Sequence, residues 1–413
     1  MNRRTAAQEP MKTGRVHDVD ALRGFALLGI FVVNITFMAS AYPGNLVHDP
    51  SFSTPIDAAA RFLVAALFSM KFYLLFSFLF GYSFVLQMDA AKRAGAAFVP
   101  RMLRRAVGLF VIGVGHIVLL YGGDVLTTYA VVCLVLLAMH QVRDRTALLT
   151  TGIIYGFVTL SLVISAAFLD RSMFMPSHDE ALLGAAAQTQ ALLGSLADIV
   201  GQHVAGLDLL VIQAVSLQGP TALAMFLLGM VAARRRVFSE LGNQATLLRR
   251  TQAIGFAVGL PGGVLFAVMG GDTNTWATAA SVVTAPFLTA AYVATLIRIM
   301  HAPWGTWVRT ALAPVGRIAL TNYLGQSLAG IVLFTGIGLG LAGQMSPPVL
   351  MVLAVAVFAV QTLISAWWLK RHRYGPAEYV LRCFTNWSRP GRTLADTARG
   401  VDAHPQRTPP GEQ

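Results

Sequence analysis

Ten apolar runs of roughly 19–25 residues recur along the chain, at about 21–40, 64–88, 103–121, 123–141, 147–169, 210–233, 252–271, 276–299, 316–337 and 347–369. At ~1.5 Å per residue, each is long enough to cross a ~30 Å hydrocarbon core as a helix. In lipid a helix satisfies its own backbone N–H and C=O groups, so it is the expected state of such a run. Only 12% of the 413 residues are charged and 55% are hydrophobic, whereas a soluble domain carries about 25% charge. The fold class that follows is an all-α polytopic membrane protein with about ten transmembrane helices. A net charge of +12 raises nucleic acid as a partner. The basic residues stand between the apolar runs, however, as orientation signals do, and this excludes it.

Those basic residues set the orientation. With the N-terminus inside, 27 of the 31 Lys and Arg fall in inner segments, and only Arg61 and Arg171 fall outside. The positive-inside bias therefore puts both termini in the cytoplasm. Residues 1–16 form a basic inner segment and 17–388 a single membrane domain. From Arg389 to Gln413 the tail, rich in Pro, Gly and charge, is expected to be disordered. The "ASA" at 39–41 imitates a signal-peptidase site, but a signal peptide has no use for Asp20 and Arg23 at the start of its apolar region, and an uncleaved first helix is favoured. The start of the second run, "FLVAALFSM", is expected at the outer interface, with the spanning helix beginning near Lys71. The longest outer connection, 170–209, is either a cap or a tether. "YGPAEYVLRCFTNW" has the spacing of an interfacial helix. Cys133 and Cys383 form no disulfide or metal framework.

Ionisable and amide groups inside spans need partners or a wet cavity. Asp20 and Arg23 lie three apart on one helical face at the inner end of the first span. They are either an orienting ion pair or a device presenting a guanidinium to an anionic ligand. Asn34 lies eleven residues, or ~16 Å, further in. Lys71 is a snorkelling lysine or a buried cation. His116 follows Arg105 by ~16 Å of helix and reaches the outer half, with Asp124 just beyond in the "GGD" turn. A histidine backed by a carboxylate is an oriented general base or a hydrogen-bonded core residue. The ninth span opens "GRIALTNYLGQS", where Asn322, Tyr323 and Gln326 line a cavity or bond neighbouring helices. No pair of histidines has metal-ligand spacing beside acids, and no phosphate loop or dinucleotide fingerprint is present.

Six blocks in order, "RVHDVDALRGFALLGIFVVNI", "KFYLLFSFLFGYS", "HIVLLYGGDVLTTYA", "FLLGM", "GRIALTNYLGQS" and "YGPAEYVLRCFT", resemble the YeiB-like family of bacterial membrane proteins, the domain of unknown function 418. The likeness covers residues 15–388, with the family-specific C-terminal part at about 219–388. The first block also resembles the first helix of a wider superfamily of transmembrane acyltransferases, which begins Asp-x-x-Arg-Gly as Asp20, Arg23 and Gly24 do here. That resemblance implies transfer of an acyl group, acetyl above all, from cytoplasmic acetyl-CoA or acyl-CoA to a hydroxyl or amine across the bacterial inner membrane. The acceptor would be a glycan or lipid of the cell envelope. Where the O-acyltransferases place a histidine, this chain has Asn34, so the base must lie elsewhere. His116 with Asp124 is the candidate, and His48 in the first outer loop the minor one.

On that reading Arg23, steadied by Asp20, with Arg101, Arg104, Arg105 and Arg317 receives the phosphates of the donor. Asn322, Tyr323 and Gln326 line its channel, and Lys71 or Asn34 stabilises the oxyanion. A homodimer is left open. The competing reading is a proton-coupled transporter or lipid flippase, against which the missing internal repeat argues.

Overall fold

The computed structural model describes residues 14–170, 174–239 and 245–388. The tail expected to be disordered and most of the basic N-terminal segment lie outside them. Sixteen α-helices follow one another: α1 Gly14–Ala39, α2 Pro55–Leu63, α3 Lys71–Arg93, α4 Phe98–Leu119, α5 Leu126–Ala138, α6 Asp144–Phe168, α7 His178–Leu192 and α8 Leu196–Ala205. Then come α9 Leu207–Gln213, α10 Gly219–Arg234, α11 Ala245–Val268, α12 Thr275–Met300, α13 Thr306–Arg317, α14 Ala319–Phe334, α15 Pro347–Leu369 and α16 Pro376–Asn386. Among the described residues eight helical stretches are long and apolar enough to cross a membrane, and α5 and α14 are shorter apolar helices. The chain is therefore an all-α multi-pass membrane protein. The two short helices, of 13 and 16 residues, reach only about 20 and 24 Å.

Loops expected on the same side do meet. On the outer side Ala41 N–H donates to Thr189 (3.1 Å), Asn45 to the Gln188 side chain (2.7 Å), and Gly336 N–H to the Leu192 carbonyl (2.9 Å). The described part of the outer connection is thus a cap, made of α7, and α8 leads from it into the sixth apolar stretch. Both begin with reciprocal capping boxes, Ser177 with Glu180 and Ser195 with Asp198, which satisfy the first N–H groups of each helix. On the inner side Arg234 donates to the carbonyls of Val142 (2.7 Å) and His140 (2.6 Å), and His301 meets Asp18 at 2.9 Å.

One detail follows the sequence expectation, the restart of the second span at Lys71, and two depart from it. The second span is broken: a π-helical turn at Val64–Phe68 ends at Met70, whose φ is +67°, and α3 starts afresh at Lys71. The sixth span begins far earlier than residue 210, because α8, α9, a π-turn at Ala214–Gln218 and α10 run on through Leu196–Arg234. Gly206 keeps right-handed helical dihedrals there and does not terminate the rod. The inner connection before the ninth span is itself a helix, α13, separated from α14 by a break at Ile318.

Small residues let the central helices touch backbone to backbone. A Cβ at Gly81 of α3 would stand 2.0 Å from the Phe226 carbonyl of α10, and one at Gly229 of α10 would stand 2.0 Å from that of Phe78. At the inner end Gly24 of α1 and Gly316 of α13 make a second such crossing. A Cβ at Gly316 would lie 1.7 Å from the Asp20 carbonyl oxygen, and one at Gly24 would lie 2.3 Å from that of Leu312. This crossing sets Arg23 and Arg317, each one residue from its glycine, at one mouth.

Candidate functional site

His116 lies in the last turn of α4, whose end is drawn tight because the N–H groups of Leu120 and Tyr121 both reach the His116 carbonyl at 2.9 Å. The chain reverses through Gly122 and Gly123 and presents Asp124. Its Oδ2 accepts from the N–H (2.7 Å) and the hydroxyl (2.8 Å) of Thr127 in the first turn of α5. With Oδ2 held, Oδ1 lies 3.0 Å from His116 Nδ1. The Nδ1–H direction misses that oxygen, so the pair is a close polar contact short of an aligned hydrogen bond. On the other side of the ring, His116 Nε2 is 2.8 Å from Ser327 Oγ of α14. All three side chains are 1% exposed. The carboxylate on the Nδ1 side assigns the proton to Nδ1 and leaves Nε2 to accept from the serine hydroxyl, an assignment that rests on the partners.

One turn below Ser327, Tyr323 sets its ring 5.0 Å from the imidazole, centroid to centroid, at 36°. The other face of Tyr323 lines a cavity of about 600 Å³ that opens among the inner ends of the helices. Ile30, Val125 and Tyr323 stand at its deep end, and six arginines line the rest: Arg23, Arg101, Arg105, Arg317, Arg373 and Arg382. Arg23 donates to Asp20 at 2.6 Å and also to Ser83, so its acid and a hydroxyl fix the guanidinium at the wall. Arg105 is half-buried, and its Nε, itself shielded from solvent, has no hydrogen-bond partner among the described residues.

Among the described residues the one acid in the wall is Glu378 of α16. Its carboxylate takes the N–H groups of Leu320 (2.7 Å) and Thr321 (3.1 Å) and the Thr321 hydroxyl (2.5 Å), and so caps the N-terminus of α14 just after the Ile318 break. Burial pushes its carboxyl above the usual carboxylate range, and the Thr321 hydroxyl and amide oppose that push.

The remaining sequence candidates stand elsewhere. Arg104 turns away from the cavity, donates to the Thr385 carbonyl (3.1 Å) and lies over the Trp387 ring, fastening α16 to α4. The Asn322 amide donates to the Val315 carbonyl and to Ser365, while Gln326 meets Gln361 at 3.2 Å. Both amides bond helices α14 and α15 and line no channel, because α14 turns Ala319, Leu320 and Tyr323 toward the cavity instead. Lys71 is 1% exposed, but its Nζ donates to the Ala65 carbonyl at 3.1 Å and lies over Phe266 of α11. It closes the broken second span, on the side of α11 and α12, and belongs to a different cluster from His116. Asn34 is half-buried and forms no hydrogen bond with the His116 group, and His48 is exposed in the outer loop.

Sequence reasoning missed Ser327 as the partner of His116 and Glu378 as the cap of α14. The first was one polar residue among many in "TNYLGQS". Its position four after Tyr323, on one face of the helix, was the available signal. The second was the only acid in the amphipathic "PAEYVLRCF".

The family described as "Protein of unknown function (DUF418)" matches residues 232–388, which run from the end of α10 through α16. The chain is 32% identical over 405 residues to an uncharacterized protein, YxaH, of Bacillus subtilis (strain 168), covering 92% of this chain and 96% of that one. It is 28% identical over 388 residues to an uncharacterized 39.9 kDa protein in the amylase 3' region of Bacillus acidopullulyticus (90% and 94% covered). It is 25% identical over 396 residues to the uncharacterized protein YeiB of Escherichia coli (strain K12), with 89% and 95% covered.

Proposed function

We propose that this chain, which belongs to the DUF418 family, is a membrane acyltransferase. It would carry an acyl group, acetyl in the first instance, from acyl-CoA at the inner face to a hydroxyl or amine of a glycan or lipid at the outer face of the bacterial inner membrane. The observation that carries the reading is one continuous arrangement. A cavity of about 600 Å³ is lined by six arginines and by Tyr323, whose ring lies 5.0 Å from that of His116, itself paired with Asp124. Clustered guanidiniums suit the phosphates of a nucleotide-bearing donor, and Arg105 offers an unused N–H. The volume lies within the ~300–1,000 Å³ range of small-molecule sites. The apolar deep end suits the acyl arm. His116, with Asp124 on its Nδ1 side, then serves as the base that relieves the attacking group of its proton.

Titration of the purified protein with acetyl-CoA tests this. Saturable binding that weakens at least ~10-fold in Arg105→Gln is expected. Absence of saturable binding by any acyl-CoA would remove the reading.

A second reading has an observation in its favour. The helices broken at Met70 and at Ile318 are of the kind that builds midplane sites in proton-coupled transporters and lipid flippases. Substrate flux in sealed vesicles without any acyl donor would establish that reading instead.

A further inference from the structure

We propose that Ser327 is a nucleophile, and that transfer runs through a covalent acyl-Ser327 intermediate. The proposal rests on the acyltransferase reading and adds a residue and a step to it. The geometry is that of an activated hydroxyl. Ser327 Oγ lies 2.8 Å from His116 Nε2, His116 Nδ1 lies 3.0 Å from Asp124 Oδ1, and Thr127 holds Asp124 Oδ2. Acid, imidazole and hydroxyl in this order form a relay in which the base draws on the nucleophile and the acid orients the base.

A purely structural bond between α4 and α14 is the plain alternative, and the rest of the bundle argues against it. Where α14 is tied to α15, the ties are neutral amides and a hydroxyl: Asn322 with Ser365, and Gln326 with Gln361. An imidazole backed by a fully buried carboxylate is a far more demanding way to join two helices in lipid. The placement also suits chemistry. Ser327 is the ninth residue of α14, a helix of only 16 residues. It stands one turn, ~6 Å, beyond Tyr323 at the deep end of the cavity. Tyr323 lines the cavity beside His116 and Ser327 is buried, so the Tyr323 ring must move for a thioester carbonyl to reach the hydroxyl.

Two half-reactions then balance. As Ser327 Oγ bonds to the acyl carbon, its proton passes to His116 Nε2. The carbon–sulfur bond breaks, and the coenzyme A thiolate takes that proton and leaves as the thiol. In the second half, the acceptor hydroxyl or amine gives its proton to His116 and bonds to the acyl carbon. The ester bond to Ser327 breaks, and the serine oxygen recovers the proton. No oxidant, metal or further co-reactant enters. Donor and acceptor never need to occupy the site together, which matches a donor entering from inside and an acceptor held outside.

The test uses the full-length protein and acetyl-CoA labelled in the acetyl group, with acid quench and peptide mapping. The expected result is one acetyl group on Ser327, absent in Ser327→Ala and formed about 100-fold more slowly in His116→Ala. In Ser327→Cys the adduct becomes a thioester, released by neutral hydroxylamine. A fluorophosphonate probe reads the same hydroxyl without any donor, and it should label the wild type but neither Ser327→Ala nor His116→Ala. Saturable acetyl-CoA binding with no adduct and no phosphonate labelling overturns the nucleophile and leaves the acyltransferase standing. So does transfer by Ser327→Ala at the wild-type rate. Phosphonate labelling of Ser327 without acyl-CoA binding keeps the activated serine and overturns the donor instead.

Discussion

A methyl group at Gly316 should both destabilise the protein and disarm the cavity. Its Cβ would stand 1.7 Å from the Asp20 carbonyl oxygen and 2.7 Å from the Gly24 nitrogen. A carbon approaches a carbonyl oxygen no closer than about 3.3 Å, so α1 and α13 must separate by about 1.5 Å. Both neighbours are backbone, and no rotamer change relieves the contact. Overpacking of this kind costs about 1–3 kcal/mol, and at about 2 °C per kcal/mol in a large chain the melting temperature should fall by about 2–6 °C. Arg23 and Arg317 ride on the two parting helices, and a displacement near 1 Å is worth up to ~100-fold in a positioned reaction. Acetyl-CoA affinity should therefore fall at least ~10-fold with it. Gly24→Ala, whose Cβ would meet the Leu312 carbonyl oxygen at 2.3 Å, should be milder, and Gly115→Ala, with nothing within 4 Å, should be neutral or slightly stabilising. Thermal unfolding in detergent, with donor titration, reads all three. A Gly316→Ala protein that melts at or above the wild type and binds donor normally would refute the reasoning.

Glu378→Ala leaves the N–H groups of Leu320 and Thr321 without their acceptor, and with cavity water replacing part of the loss the protein should be destabilised by about 2 kcal/mol, read as a lower melting temperature, while Glu378→Gln recovers most of it. Because burial raises the Glu378 carboxyl, its contribution to stability is complete below its unfolded value of about 4.3 and is lost as the pH rises through its higher folded value; the melting temperature of Glu378→Gln should lack that decline. Arg105→Met should raise the melting temperature while abolishing donor binding, since its Nε stabilises nothing, whereas Arg104→Met should loosen α16, read as faster proteolysis there, and leave donor affinity within about threefold. Gln326→Leu should destabilise by about 1–3 kcal/mol because Gln361 Oε1 loses its donor, and Gln326→Leu with Gln361→Leu should recover part of that in a double-mutant cycle.

The fold was readable because hydrophobic length is a local property: each run announces its own helix, and the basic residues between runs sort the loops into two sets. Breaks inside helices were unevenly legible. The restart at Lys71 was expected, whereas the stop at Ile318 was not, although Pro314 and Gly316 stand just before it. The site was half legible. His116 and Asp124 are eight residues apart across one glycine turn, so sequence alone joins them. Ser327 lies 211 residues from His116, and only the folding of α14 against α4 brings it near. Asn322 and Gln326 look the same in sequence as Tyr323, because which face of α14 meets α15 and which meets the cavity is decided by the neighbours. Arg104 and Arg105 differ in the same way: adjacent in the chain, they point about 100° apart on the helix.

The cavity also reshapes the membrane voltage. An open space lined by guanidiniums brings the inner aqueous potential up to Tyr323, so the transmembrane field no longer falls over ~30 Å of hydrocarbon. It is compressed into the thin septum formed by His116, Ser327 and the outer turn around Asp124. Each elementary charge carried across the whole drop is worth ~2.3 kcal/mol per 100 mV. On the proposed transfer, a proton shuttled within that septum would sample a large share of the drop over a few ångströms, so the rate should respond to the energised state of the membrane.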